Sequence, residues 1–258
     1  MNPNQKTALI TGASSGIGWA TALELSKRGW NLILGARRTD RLEVLAELIR
    51  HESSSQVFYE PLDVCLSTSV YQFISKIKTK APHVDYLVNN AGLAYGTDSV
   101  DDADPKDWEA MMETNFMGVM RMVQATSAMM NPHSGARIVN IASIAGREAY
   151  EGGGGYCASK AAVKSLSRTL RLELLEKGIG VTSIDPGLVE TEFSIVRYGG
   201  DETKARAVYE GLTPLRSEDV ARSIDFVLSQ PPHVNIDEIL LTPIAQGFTK
   251  RTIRTKND

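Results

Sequence analysis

The sequence predicts an α/β fold, a doubly wound parallel sheet of seven strands with helices on both faces, built as a single domain over residues 1–258. Three observations predict it. Short runs rich in leucine and β-branched residues recur along the whole chain, stretches with helical apolar spacing separate most of them, and a glycine-rich turn joins the first run to the first such stretch. Alternation of this kind calls for parallel strands, because a strand-to-strand crossover through a helix returns the chain in the same direction.

Taken in order, the expected strands are Thr7–Ile10, Leu32–Leu34, Val57–Tyr59, Tyr86–Val88, Arg137–Ile141, Val181–Ile184 and Ile239–Leu241. Between the first two, Ile17 to Arg28 places Ile17, Ala20, Leu23 and Leu25 at helical spacing, and Arg41 to Arg50 repeats the pattern with Leu42, Leu45, Leu48 and Ile49. All methionines beyond the initiator fall between Met111 and Met130, which reads as one long helix with a plastic buried face. Gly152–Gly155 reads as a loop directly before Tyr156. Residues 191–214, helix-prone but broken at Tyr198-Gly199-Gly200, read as a mobile segment covering a site.

Composition sets the boundaries. With 42% hydrophobic and 23% charged residues the chain can bury a core, and a net charge of -3 excludes the broad basic surface that nucleic-acid backbone requires. The basic residues Lys250, Arg251, Arg254 and Lys256 are expected to stay solvated. Cys65 and Cys157 are far apart and lack metal-ligand spacing, so neither a disulfide framework nor a metal site is expected, and a reducing cytoplasm fits. The polar start Met1–Lys6 leaves no room for a signal peptide, and no apolar run is long enough to span a bilayer; no membrane partner is expected.

The turn Thr11-Gly12-Ala13-Ser14-Ser15-Gly16-Ile17-Gly18 lies between strand and helix. Gly12 permits a tight turn, Gly16 a close approach of backbone to a pyrophosphate, and Gly18 the packing of helix on sheet, while the helix N-terminus attracts the negative charge. Ser14, Ser15 and Ile17 belong to the same phosphate-binding turn. At the end of the second strand, Leu34-Gly35-Ala36-Arg37-Arg38, Ala36 stands where NAD enzymes carry an acid for the ribose 2′-hydroxyl. Arg37 can clamp a 2′-phosphate there, with Arg38 stacking on adenine or sharing the charge, so NADP(H) is the expected cofactor.

Ser143 follows the fifth strand, and Tyr156 and Lys160 stand four residues apart at the start of the next helix, on one face. A phenol is a poor base at neutral pH, and a neighbouring ammonium favours its ionised form. Tyr156 can then exchange a proton with an alcohol or carbonyl oxygen that also accepts a hydrogen bond from Ser143.

Together the glycine spacing, Ser143 and Tyr156-x-x-x-Lys160 resemble the short-chain dehydrogenase/reductase family, and the resemblance covers essentially the whole chain. It implies a Rossmann-type sheet and a homotetramer paired through the helix from Tyr156 and through the C-terminal strand region. It further implies that Lys160 binds the nicotinamide ribose and that Asn115 holds a water linking Lys160 to solvent. Cofactor contacts are implied at Asp63 and Val64, at Asn90, Ala91 and Gly92 with Asn89 tying strand ends, and at Pro186, Gly187, Val189 and Thr191 around the nicotinamide.

The stretch Pro186 to Tyr198 with Gly200-Asp201, the run Asn90 to Ala94 before Asp107-Trp108-Glu109, and Pro232 to Ile236 resemble the NADP-dependent serine and 3-hydroxy acid dehydrogenases. The implied substrate is a small 3-hydroxy acid such as serine or allo-threonine, whose carboxylate needs a cation near the nicotinamide. Arg197 is the first candidate and Arg147, between Ser143 and Tyr156, its rival. Two alternatives stand beside this reading: an NADPH-dependent carbonyl or 3-oxoacyl reductase for neutral or thioester-linked ketones, and a nucleotide-sensing regulator without turnover, which would be expected to have lost part of the catalytic set.

Overall fold

The computed structural model describes residues 1–2 and 5–255. Seven strands form one sheet: β1 (Thr7–Thr11), β2 (Asn31–Ala36), β3 (Val57–Pro61), β4 (Tyr86–Asn89), β5 (Arg137–Ile141), β6 (Gly180–Pro186) and β7 (Glu238–Leu241). Each contains the apolar run that predicts it. Every neighbouring pair is parallel, in the order β3-β2-β1-β4-β5-β6-β7. The order reverses between β1 and β4, and chains leaving the two strands diverge there, opening a crevice at the carboxyl edge of the sheet.

Helices cover both faces of the sheet, so the five inner strands are buried on both sides while the edge strands β3 and β7 are half-buried. Ala8, Ile10, Leu32 and Leu34 point into one core with Leu25 of α1 (Gly16–Ser26), Leu42, Leu45 and Ile49 of α2 (Thr39–Glu52) and Val220 and Ile224 of α9 (Ser217–Leu228). Leu9 and Ile33, one residue along, point into the other with Phe73 and Ile77 of α3 (Ser67–Lys78), Met122 of α5 (Gly118–Thr126) and Val163 of α6 (Gly154–Glu173). Leu42, Leu45 and Ile49 are fully buried, each worth roughly 1.5–3 kcal/mol of apolar transfer. Among the described residues no helix is long and apolar enough to cross a membrane.

Two local expectations need correction and a third needs an addition. The methionine-rich stretch is not one regular helix: α4 (Pro105–Met112) passes into a π-helical turn at Glu113–Met117 before α5 begins, which swings Asn115 inward. The glycine run is not a free loop, since Gly154 already starts α6, and Gly152, at φ +70°, lies so close to Thr97 that a Cβ would stand 2.3 Å from its carbonyl oxygen. The basic C-terminal residues Lys250, Arg251 and Arg254 are exposed, as expected, yet one of them is also tied to the fold. Arg254 donates to the carbonyls of Ala207, Val208 and Glu210, filling acceptors left open at the end of α8 (Glu202–Ala207); Lys256 lies outside the described residues.

Candidate active site

A cleft of about 870 Å³ opens at the carboxyl edge of the sheet, across the reversal between β1 and β4. It is lined by Ser14, Ser15, Gly16, Arg37, Asp63, Asn90, Gly92, Ser143, Tyr156, Lys160, Gly187, Thr191 and Arg197. Gly12, Ile17, Arg38, Val64, Ala91, Pro186 and Val189 line it too. Of the residues the sequence predicts, three stand outside its lining: Gly18, Asn115 and Arg147.

The nucleotide half is built on the first strand and helix. Ser15 caps α1 without a side-chain hydrogen bond, no acid stands in the first turn, and Ser15, Gly16 and Ile17 line the cleft, so the positive end of the helix lies at the cleft wall. Gly18 acts from behind: a Cβ there would lie 2.5 Å from the Asn90 amide and from the Gly12 carbonyl, so only glycine lets helix, turn and β4 meet. Thr11, which the sequence reading passed over, accepts from the backbone N–H groups of Asn90 and Ala91, and Asn90 donates back to the carbonyls of Thr11 and Gly12. Asn89 donates to Asn140 of β5, which donates to Ser167 of α6. These bonds hold the crevice open at fixed width.

Arg37 is exposed at the end of β2 and has no ion-pair partner among the described residues. Arg38 donates to the hydroxyls of Ser14 and Ser15 and to Glu192, which also accepts from Arg41 at 2.5 Å. Arg41, then Arg38, hold the Glu192 carboxyl below the usual carboxylate range. An open helix N-terminus and an unneutralised arginine at the ribose end are the features a dinucleotide with a 2′-phosphate requires.

In the other half, Tyr156 and Lys160 share one face of α6, as their spacing predicts. Burial pushes the Tyr156 phenol well above its ordinary range; a hydrogen bond with Ser143 and the charge of Arg197 oppose the shift. Lys160 is 5% exposed, and burial pushes its ammonium down to about 8 against the opposing charge of Asp185. Its Nζ donates to the Ile141 carbonyl at 2.8 Å and lies 5.8 Å from the Tyr156 ring centre. Arg197 Cζ stands at the same 5.8 Å from that ring centre, so two cations, Lys160 and Arg197, face the phenol.

Asn115 accepts from Leu93 N–H at 2.8 Å and donates to the Leu93 carbonyl and to Ser159, all through the π-helical turn. Gly92 separates it from Lys160: a Cβ on Gly92 would lie 3.2 Å from Asn115 Oδ1 and 3.4 Å from Lys160 Nζ.

The two candidate arginines differ sharply. Arg197, at the end of α7 (Phe193–Arg197), lines the cleft; it donates to the Tyr150 hydroxyl at 2.8 Å and to the Gly96 and Gly152 carbonyls, and its Cζ lies 5.8 Å from the Tyr156 ring centre. Arg147 is turned away and donates to Asp185 and Glu238, both at 2.6 Å. Fully buried Asp185 also accepts from Lys164 and Ser183, so Arg147 belongs to an ion cluster behind the site. Tyr150 and buried Gln246, which accepts from Leu188 N–H at 2.8 Å, are cleft residues the sequence reading missed. Position offers a signal for Tyr150, between Ser143 and Tyr156; none marks Gln246.

A parallel α/β sheet carrying a nucleotide-shaped crevice and a serine, tyrosine and lysine around one point defines an oxidoreductase of Rossmann type. Residues 6–198 match the model of the short chain dehydrogenase family. An NADP-dependent 3-hydroxy acid dehydrogenase of Schizosaccharomyces pombe is 41% identical over 96% of each chain. A sulfoacetaldehyde reductase of Chromohalobacter salexigens is 39% identical over 93% of this chain and 94% of its own. A serine dehydrogenase solved in closed form with NADP+ superposes with a TM-score of 0.88 at 33% identity, covering 97% of this chain and all of its own. The chain belongs to the short-chain dehydrogenase family.

Proposed function

We propose that the protein is an NADP(H)-dependent oxidoreductase that oxidises the 3-hydroxyl of small hydroxy acids or reduces the corresponding oxo acids. The observation that carries the substrate reading is Arg197, a guanidinium with no carboxylate partner among the described residues, beside Tyr156 in the cleft. Its Nη1 and Nη2 each give one hydrogen to Tyr150 and Gly152 and keep a second for a ligand. The NADP-linked dehydrogenase and serine dehydrogenase relatives support this reading, and so does the sulfoacetaldehyde reductase, whose named substrate is also an anion beside a carbonyl carbon.

Bound NADP+ supplies the hydride acceptor, held at the α1 N-terminus, by Arg37 and Arg38 at its 2′-phosphate, and by Pro186, Gly187, Val189 and Thr191 around its nicotinamide. Arg197 holds the carboxylate and so fixes the carbon two bonds away. Ser143 donates to the reacting oxygen. Tyr156, kept neutral by burial, delivers its proton to a carbonyl oxygen in reduction and accepts the hydroxyl proton in oxidation once its own has passed on. Lys160, whose ammonium burial pushes down to about 8, would pass that proton on through a water held by Asn115, as the family resemblance implies.

The segment 191–214 closes over the substrate through α7 and α8, joined at Gly199-Gly200, and lifts for exchange. A homotetramer fits the large apolar side chains left exposed on α6 (Leu172), in the turn after it (Leu175), on α9 (Phe226) and on β7 (Leu240). The test of the activity is absorbance at the NADPH band with NADP+ or NAD+ against L-serine, allo-threonine, 3-hydroxybutyrate, 3-hydroxypropionate and a neutral secondary alcohol. Turnover of the acids with NADP+ is expected, and turnover confined to the neutral alcohol contradicts the substrate reading.

A further inference from the structure

The substrate end of the cleft carries more positive charge than one carboxylate neutralises. Among the described residues two acids line the cleft: Glu192 is bound to Arg38 and Arg41, and Asp63 stands beyond β3 at the nucleotide end. Among the lining cations, Lys204 pairs with Asp201 and Arg254 is held by three carbonyls. Arg37 stands at the nucleotide end and Lys160 is buried against the Ile141 carbonyl, which leaves Arg197 and Lys250, neither with a carboxylate partner among the described residues. They stand over one ring: Lys250 Nζ is 5.0 Å and Arg197 Cζ 5.6 Å from the centre of Tyr150.

Lys250 reaches this place on a folded segment. Gln246 anchors its start to Leu188, Gly247 N–H donates to the Arg251 carbonyl to form a turn, Ile253 N–H donates to the Ala245 carbonyl, and Arg254 fastens its end to α8. Lys250 projects from that turn. Two like charges sharing a crevice repel each other, and their contacts with the Tyr150 ring offset part of that cost. A ligand with one anion leaves the second cation uncompensated; a ligand with two relieves both.

We infer that Arg197 and Lys250 form a paired anion site and that the preferred substrate is a 3-hydroxy acid bearing a second carboxylate, one carboxylate at each cation. The inference rests on the reading of Arg197 as the carboxylate clamp and adds Lys250 as a specificity-determining residue.

The test compares 3-hydroxybutyrate with 3-hydroxyglutarate, which differ by one terminal carboxylate, in NADP+ reduction by the full-length protein. Wild type is expected to show kcat/KM about tenfold higher for the diacid, a difference of about 1.4 kcal/mol. Lys250→Gln is expected to lower the diacid-to-monoacid ratio about tenfold, and Lys250→Arg to keep it. Arg197→Ala lowers both substrates. Equal wild-type values, or a Lys250→Gln variant that lowers both substrates in proportion, overturn the inference, the second by showing that Lys250 only holds the C-terminal segment on Tyr150. Turnover of neither acid alongside turnover of a neutral alcohol overturns the carboxylate clamp itself, and this site with it.

Discussion

The guanidinium of Arg197 donates to the hydroxyl of Tyr150 at 2.8 Å, and its Nε to the Gly96 carbonyl at 3.1 Å, while the Arg197 carbonyl accepts from Gly96 N–H. A residue of the covering segment is thereby fixed to the loop after β4 and to the loop before α6. The cation is set in place ahead of the substrate, so little side-chain entropy is lost on binding.

Removing the Tyr150 hydroxyl should loosen that arginine and leave the chemistry intact. Tyr150→Phe is expected to raise KM for 3-hydroxybutyrate about fivefold, about 1 kcal/mol and the net worth of an ordinary hydrogen bond, with kcat little changed. Steady-state kinetics separate the two constants, and a fall in kcat at constant KM contradicts the positioning role.

Lys160 costs the fold stability in order to hold a charge at the site. Its folded-state value lies near 8, below the ordinary 10.5, so below pH 8 both states are protonated and the folded state bears the full cost, about 3 kcal/mol. Between pH 8 and 10.5 the folded protein gives up the proton first and wild-type stability rises. Lys160→Met is therefore expected to abolish turnover yet raise Tm at pH 7, with the gain shrinking by pH 10. Thermal melts at the two pH values check the sign; an equal gain at both contradicts it.

Asp185 is the anion on which the cluster behind the site depends. Asp185→Asn leaves Lys164, 10% exposed at its side chain, and Arg147 without their shared carboxylate. Breaking a buried pair in this way costs about 3–5 kcal/mol, on the order of a 10 °C fall in Tm. An unchanged Tm in a thermal melt would show that Glu238 alone satisfies both cations.

At the nucleotide end, Glu192 occupies Arg38 and Arg41, and its lowered carboxyl is charged at neutral pH. A 2′-phosphate has to compete with it. Glu192→Gln is expected to lower KM for NADP+ about threefold with little effect on NAD+, as removal of an exposed competing charge does, whereas Arg37→Asp raises KM for NADP+ selectively by about tenfold or more. A rise in KM for NADP+ in Glu192→Gln contradicts the competition and makes Glu192 a support for Arg38.

The sheet, the glycine-rich turn and the set Ser143, Tyr156 and Lys160 are legible in the sequence because each follows from local spacing. Strands buried on both faces read as continuous apolar runs, and residues four apart on a helix share a face. The π-helical turn at Asn115 is not legible, since its cause is a pair of bonds to Leu93, 22 residues away. Arg147 reads as a substrate candidate by its place in the chain, yet its partners lie 38 and 91 residues on. The C-terminal basic residues read correctly as exposed, but their partners, carbonyls at the end of α8 and the ring of Tyr150, are announced by no local pattern.

The most direct measurement is NADP+ reduction by wild type and Arg197→Ala on 3-hydroxybutyrate and on 2-butanol. Loss of one charge-assisted contact should raise KM for the acid by roughly tenfold to a hundredfold and leave 2-butanol, which has no carboxylate, nearly as poor a substrate as before. Equal losses on both substrates, or no loss on the acid, would contradict a carboxylate held by Arg197.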